Sequence, residues 1–119
     1  DRYGYSGVAF TTAKKLPGLD QQWCKHSETG LVKPDCLMYM EISEDAAKKR
    51  GGFGEERYET TEMQKNVREG FADLREDWWN VVDADRTIEE VQKDVQTIAR
   101  DAVERCKRGK ELEHFEPGW

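Results

Sequence analysis

A chain of 119 residues is one ordinary domain at most, and a formal net charge of −6 argues against a surface built to neutralise a phosphate backbone, which needs clustered Lys and Arg. The longest apolar run, Cys36 to Met40, falls far short of the roughly 20 residues of a membrane helix, and the first residues lack the basic start and apolar middle of a signal peptide. Nucleic acid and membrane are therefore not expected partners; the odd set Cys24, Cys36 and Cys106, without C-x-x-C spacing, points to reduced thiols, with a cytoplasmic location (nuclear or mitochondrial pools included) as the expectation.

The first apolar pattern, Tyr5, Val8, Ala9 and Phe10, predicts a helix from Tyr3 to Lys15, weakened by Gly4 and Gly7 and ended by Pro17-Gly18. Asp20 is a candidate N-cap for a short second helix through Trp23 and Cys24 that closes in the Gly30 region. Cys36 to Ile42 is an almost unbroken apolar stretch of strand length, as expected of a strand covered on both faces in a parallel sheet. Ser43 can cap a short helix from Glu44 to Lys49, whose acidic start and basic end suit the helix dipole. After the glycines of Gly51-Gly52-Phe53-Gly54, Thr61 with Gln64 forms a capping box, and Met63, Val67, Phe71 and Leu74 make one apolar stripe. Trp79 to Ala84 reads as a second strand. Thr87 with Glu90 opens a last helix, to about Gly109, with the stripe Ile88, Val91, Val95, Ile98 and Ala102. Charged residues are 37% of the chain but interleave with these stripes, as solvated helix faces do.

Helices alternating with strands predict an α/β fold on a parallel sheet. Two strands alone leave apolar stripes without a partner, since sheets average about five to six strands, and Asp1 begins without a start methionine. The expectation is a piece of a larger domain. Ligands of such sheets gather at the carboxyl ends of strands. Ser43 follows the first strand and Asp83-Ala84-Asp85-Arg86 the second, while Asp1-Arg2-Tyr3 would follow a strand upstream. Between them, Arg50-Gly51-Gly52-Phe53-Gly54-Glu55-Glu56-Arg57-Tyr58 joins movable glycines to guanidinium groups that can grip phosphate oxygens in pairs. On spacing alone a charged surface loop is the commoner explanation.

The ordered series Asp1-Arg2-Tyr3, Ser6-Gly7-Val8-Ala9-Phe10, Gly30-Leu31-Val32-Lys33-Pro34-Asp35 and Arg50 through Glu59 resembles eukaryotic thymidylate kinases over nearly the whole chain. The resemblance implies the carboxy-terminal portion (1–119) of a single P-loop nucleoside monophosphate kinase domain, with a lid at about 40–64. It implies phosphoryl transfer from ATP to thymidine 5′-monophosphate, giving the diphosphate for thymidine triphosphate synthesis, with Mg²⁺ and as a homodimer. By the same likeness Arg2 bridges the acceptor phosphate to the transferring group, and Asp1 orients magnesium through water. Ser6, Gly7 and Phe10 form the thymidine-side wall, Tyr58 packs on the deoxyribose, and Gln64 marks the end of the lid. Arg50 stacks on adenine, Asp83, Ala84, Asp85 and Arg86 line that base, and Arg57 reaches the phosphates. Asp85 departs from the family's small or hydroxyl residue, which shifts weight there from side chains to backbone contacts.

Several conspicuous residues have plainer readings. Trp78 and Trp79 are expected in packing, His26 and His114 at the surface, and the acidic segment Glu111 to Glu116 as a terminal appendage. No G-x-x-x-x-G-K-[ST] phosphate loop occurs in these residues, so the chain alone is expected to be inactive. The competing reading is a non-catalytic nucleotide-binding or dimerisation module derived from the same fold.

Overall fold

The computed structural model describes residues 3–49 and 61–119, and their elements follow the predicted order. These are α1 (Gly4–Ala13), α2 (Gln21–His26), β1 (Met38–Glu41), α3 (Glu44–Lys49), α4 (Thr61–Leu74), β2 (Asn80–Asp83) and α5 (Ile88–Lys107). The described residues form two compact units, one of 3–32, 61–76 and 114–119 and the other of 33–49 and 77–113.

In the first unit α1 begins at Tyr3, whose extended backbone acts as N-cap without a side-chain bond, and buries Gly4, Tyr5, Val8, Ala9 and Ala13. Its end is marked by Lys15, held in the left-handed region at φ 54°. Asp20 caps α2 as its position predicts, its carboxylate accepting the Trp23 amide at 2.8 Å, but the helix ends at His26 and reaches Gly30 only through turns. Helix α4 packs on α1 through the predicted stripe: Val67 and Leu74 are buried, and the Phe71 ring meets Phe10 edge-on at 6.3 Å. Gly70 lies against the Ala9 backbone and the Asn66 amide donates to the Ala13 carbonyl at 3.2 Å, so the two helices run antiparallel. The Thr61 side chain of the expected capping box lies outside the described residues.

Of the segment Glu111 to Glu116, expected to be a terminal appendage, the part from His114 onward belongs to this unit. Phe115 is 1% exposed. Its carbonyl accepts the Gly30 amide and its amide donates to Leu31, both at 2.8 Å, while His114 pairs with Val32 in an antiparallel bridge. The Trp119 indole donates to the Lys25 carbonyl at 3.0 Å. The carboxylates between Glu111 and Glu116 stay in solvent, whereas the interspersed phenylalanine turns inward; counting charges hides that division.

In the second unit β1 and β2 pair in parallel, with Met38 opposite Asn80 and Glu41 opposite Asp83. The expected strand from Cys36 to Ile42 is thus shorter, and among the described residues it is not covered on both faces, since Met40 is 46% exposed; in β2 Val82 is buried and Val81 is 44% exposed. Among the described residues β1 pairs with β2 alone. Helix α5 packs on β2. Thr87 accepts the Glu90 amide at 3.2 Å and donates to its carboxylate at 3.0 Å, closing the predicted cap. Ile88, placed on the apolar stripe by spacing, is instead 79% exposed, because the first helical residue stands ahead of the turns that meet the sheet. Trp79 is buried as expected, but Trp78 is 39% exposed, with the Lys33 ammonium over its ring. No helix among the described residues is long and apolar enough to cross a membrane.

Candidate functional site

Helix α1 divides its residues by helical spacing. Tyr5, Val8 and Ala9 face inward, while Gly7 is exposed and Ser6 and Phe10 are half-buried. Ser6 and Phe10 lie four apart and Gly7 and Phe10 three apart, so the three predicted wall residues share one side of α1. Phe10 is braced there by Phe71.

The glycine of this group has no packing reason to be one. A Cβ built on Gly7 would meet only the Glu28 Oε1 at 3.8 Å, an ordinary contact. By contrast, a Cβ on Gly70 would stand 3.2 Å from the Ala9 carbonyl oxygen, and one on Gly4 would stand 3.1 Å from the Phe115 ring. Glycine inside a helix costs about 0.5–1 kcal/mol relative to alanine. At positions 4 and 70 close packing offsets that cost; at position 7 nothing among the described residues does.

Gln64 lies on α4 two turns before Phe71. Because the helices are antiparallel it sits toward the Ala13 end of α1, the end away from Ser6.

In the second unit the carboxyl ends of the two strands are tied together. The Ser43 amide, just after β1, donates to Asp85 Oδ1, just after β2, at 2.8 Å. Ser43 Oγ turns the other way and accepts the Ala46 amide at 3.2 Å, capping α3. Asp83 accepts the Asp85 amide at 2.9 Å, and Ala84, which is buried, extends the ladder by donating to the Glu41 carbonyl at 2.8 Å. Arg86 donates from Nε to the Asp83 carbonyl at 2.9 Å and pairs with Asp94 of α5. The hydrogen bond to Asp94 is the main reason its guanidinium is held still more firmly charged, with smaller help from Asp83 and Glu90. The side chains of Asp85 and Arg86 are thus engaged in shaping the loop.

At the opposite ends of the same strands, Lys33, Asp35, Trp78, Asn80, Arg105 and Lys110 line a cavity of about 190 Å³ that the sequence reading did not single out. Lys110 is paired there with Asp35 at 3.1 Å and Arg105 with Asp101 at 3.2 Å. Its residues come from four separate stretches, so no local motif announces it.

Asp1, Arg2, Arg50, Arg57 and Tyr58 lie outside the described residues, as does the centre of the predicted lid. Asp1 is the residue implied for magnesium, and no group of three or more His, Cys, Asp or Glu among the described residues could hold a metal ion.

A family model described as thymidylate kinase matches residues 1–95. Among proteins similar in sequence, a thymidylate kinase of Arabidopsis thaliana is 46% identical over 112 residues, covering 94% of this chain and 41% of the relative. A Homo sapiens thymidylate kinase is 42% identical over 106 residues, covering 87% of this chain and 49% of the relative. Among solved structures, that of a thymidylate kinase from Candida albicans, reported to reveal the origin of its broad substrate specificity, superposes with a TM-score of 0.73 at 28% identity. It covers 98% of this chain and 57% of that one. The chain spans about half the length of the curated relatives it matches. With a family model matched over residues 1–95, relatives above 40% identical and a shared α/β fold, the chain belongs to the thymidylate kinase family.

Proposed function

We propose that these residues form the acceptor wall, lid and adenine-side loop of an enzyme that moves the γ-phosphoryl group of ATP to thymidine monophosphate. The phosphate loop comes from residues that this stretch does not contain. In such transfers the protein positions the partners and neutralises charge rather than forming covalent intermediates. Arg2 bridges the acceptor phosphate and the moving group. Ser6, Gly7 and Phe10 receive the thymidine, with Phe10 offering a ring braced from behind by Phe71. Tyr58 and Gln64 close that side. Arg50 and the main chain of Asp83 to Arg86 hold the adenine, and Arg57 reaches the phosphates from the lid. Mg²⁺ bound with ATP supplies charge neutralisation, and Asp1 is the residue that would hold it through water. The homodimer belongs to the same proposal.

The observation that carries this reading is Gly7, an exposed helical glycine with ordinary space around its missing Cβ. A ligand approaching the α1 backbone would supply the reason for it that packing does not. The test is Gly7→Ala in the full-length protein. The unliganded variant is expected to gain about 0.5–1 kcal/mol of stability, while KM for thymidine monophosphate rises about tenfold. A gain in stability with unchanged KM would refute the placement of the nucleoside on this face. Nucleotide binding without turnover by the wild-type full-length protein would favour the non-catalytic module.

A further inference from the structure

We propose that the segment His114–Trp119 is a positioning clasp for helix α1, and that Phe115 and Trp119 set the orientation of its substrate-facing side. The inference rests on the function proposed above, and it concerns residues beyond the stretch that the family model matches.

The clasp closes on the first turn of α1, immediately after the Asp1-Arg2 dipeptide in the chain. The Phe115 ring lies directly over Gly4, where a Cβ would stand 3.1 Å from Cε2 and 3.3 Å from Cζ. Tyr3 lies against one side of that ring at 6.3 Å, Tyr5 meets it edge-on at 5.3 Å, and Trp119 covers it at 4.3 Å. Trp119 also meets the Tyr5 ring edge-on at 5.0 Å. Three rings therefore surround one, and the edge-on approach of Tyr5 is an arrangement that aromatic quadrupoles favour.

The clasp is anchored independently of α1. Main-chain bonds join Phe115 to Gly30 and Leu31, and the Trp119 indole donates to the Lys25 carbonyl. The hydroxyls of the same clasped turn are tied as well: Tyr3 Oη donates to the Val32 carbonyl at 2.8 Å, and Tyr5 Oη donates to Glu76 at 2.8 Å. Gly4 and Tyr5 on the clasped side and Ser6 and Gly7 beside them belong to the same helical turn. Rotating the turn to bring Ser6 and Gly7 elsewhere would drive Tyr5 out of the ring cluster. The clasp thereby holds the acceptor wall without touching the substrate.

The experiment uses the full-length protein and three variants: Trp119→Ala, Trp119→Phe and Phe115→Ala. Rates are measured per folded molecule, with the folded fraction taken from near-ultraviolet circular dichroism. Trp119→Ala is expected to lower kcat/KM for thymidine monophosphate about tenfold, as misplacement of a binding wall does, with KM for ATP within about twofold of wild type. Trp119→Phe, which keeps a ring over Phe115, is expected to recover most of the loss. Phe115→Ala should show the larger defect; should it not fold, Trp119→Ala still decides, because Trp119 is only half-buried. Wild-type kcat/KM per folded molecule in Trp119→Ala, or an equal rise in KM for both nucleotides, overturns the clasp. A wild-type protein without thymidylate phosphorylation overturns the parent reading instead, so the two failures are told apart.

Discussion

At the scale of single residues, Cys24 and Cys106 differ in the access that decides thiol chemistry. Cys24 is 4% exposed, and burial, reinforced by the nearby Asp20 carboxylate, pushes its thiol pKa up. Cys106 lies exposed on α5. Iodoacetamide at neutral pH is therefore expected to label Cys106 first and Cys24 only when the protein unfolds, as followed by mass spectrometry of digested samples. Equal native rates would mean that α2 does not seal Cys24. The caps at Asp20 and Thr87 were legible in the sequence because a cap bonds to a residue three positions on. Phe115 was not, because its partners Gly4, Tyr5 and Gly30 come from the other end of the chain and its immediate neighbours are acidic.

At the scale of elements, the α1–α4 crossing depends on Gly70 as the clasp depends on Gly4. A methyl at position 70 would face backbone atoms of Ala9 at 3.2 and 3.3 Å, which cannot swing aside as a side chain does. Gly70→Ala is expected to cost about 1 kcal/mol net, overpacking outweighing the gain in helix propensity. Thermal melts of this variant and of Gly7→Ala should move in opposite directions, although both make the same chemical change in a helix. A stabilised Gly70→Ala would mean that the helices separate easily. Helical periodicity found α4 because Met63, Val67, Phe71 and Leu74 repeat over three turns, and averaging over turns absorbs local exceptions. It misplaced Ile88, which sits at the very start of α5. It could not tell how far the strands are covered, because an apolar run records only an affinity for burial and not which neighbours provide it.

At the scale of the whole molecule, each compact unit is assembled from stretches that alternate along the chain. A chain ending at Leu112 loses Phe115 and Trp119 but keeps the Lys110–Asp35 pair. Hydrogen exchange is expected to show α1 and α2 losing amide protection in this truncation while β2 and α5 keep theirs. A uniform loss across all four elements would mean that the last residues support more than the unit they pack in. The motif order was enough to read the family, because ordered short motifs persist without any knowledge of packing. Within the candidate site, the sharing of one side by Ser6, Gly7 and Phe10 was legible because all three lie within a single helix. The antiparallel bridge between Val32 and His114 also has a consequence for biosynthesis. Chain emerges from the ribosome at about 5–20 residues per second, so helix α1 waits several seconds, with Tyr5 incompletely sealed, before Phe115 arrives. A nascent-chain chaperone would meet that apolar surface during the interval, and the first part of the unit to be translated would become protease-resistant only together with the last.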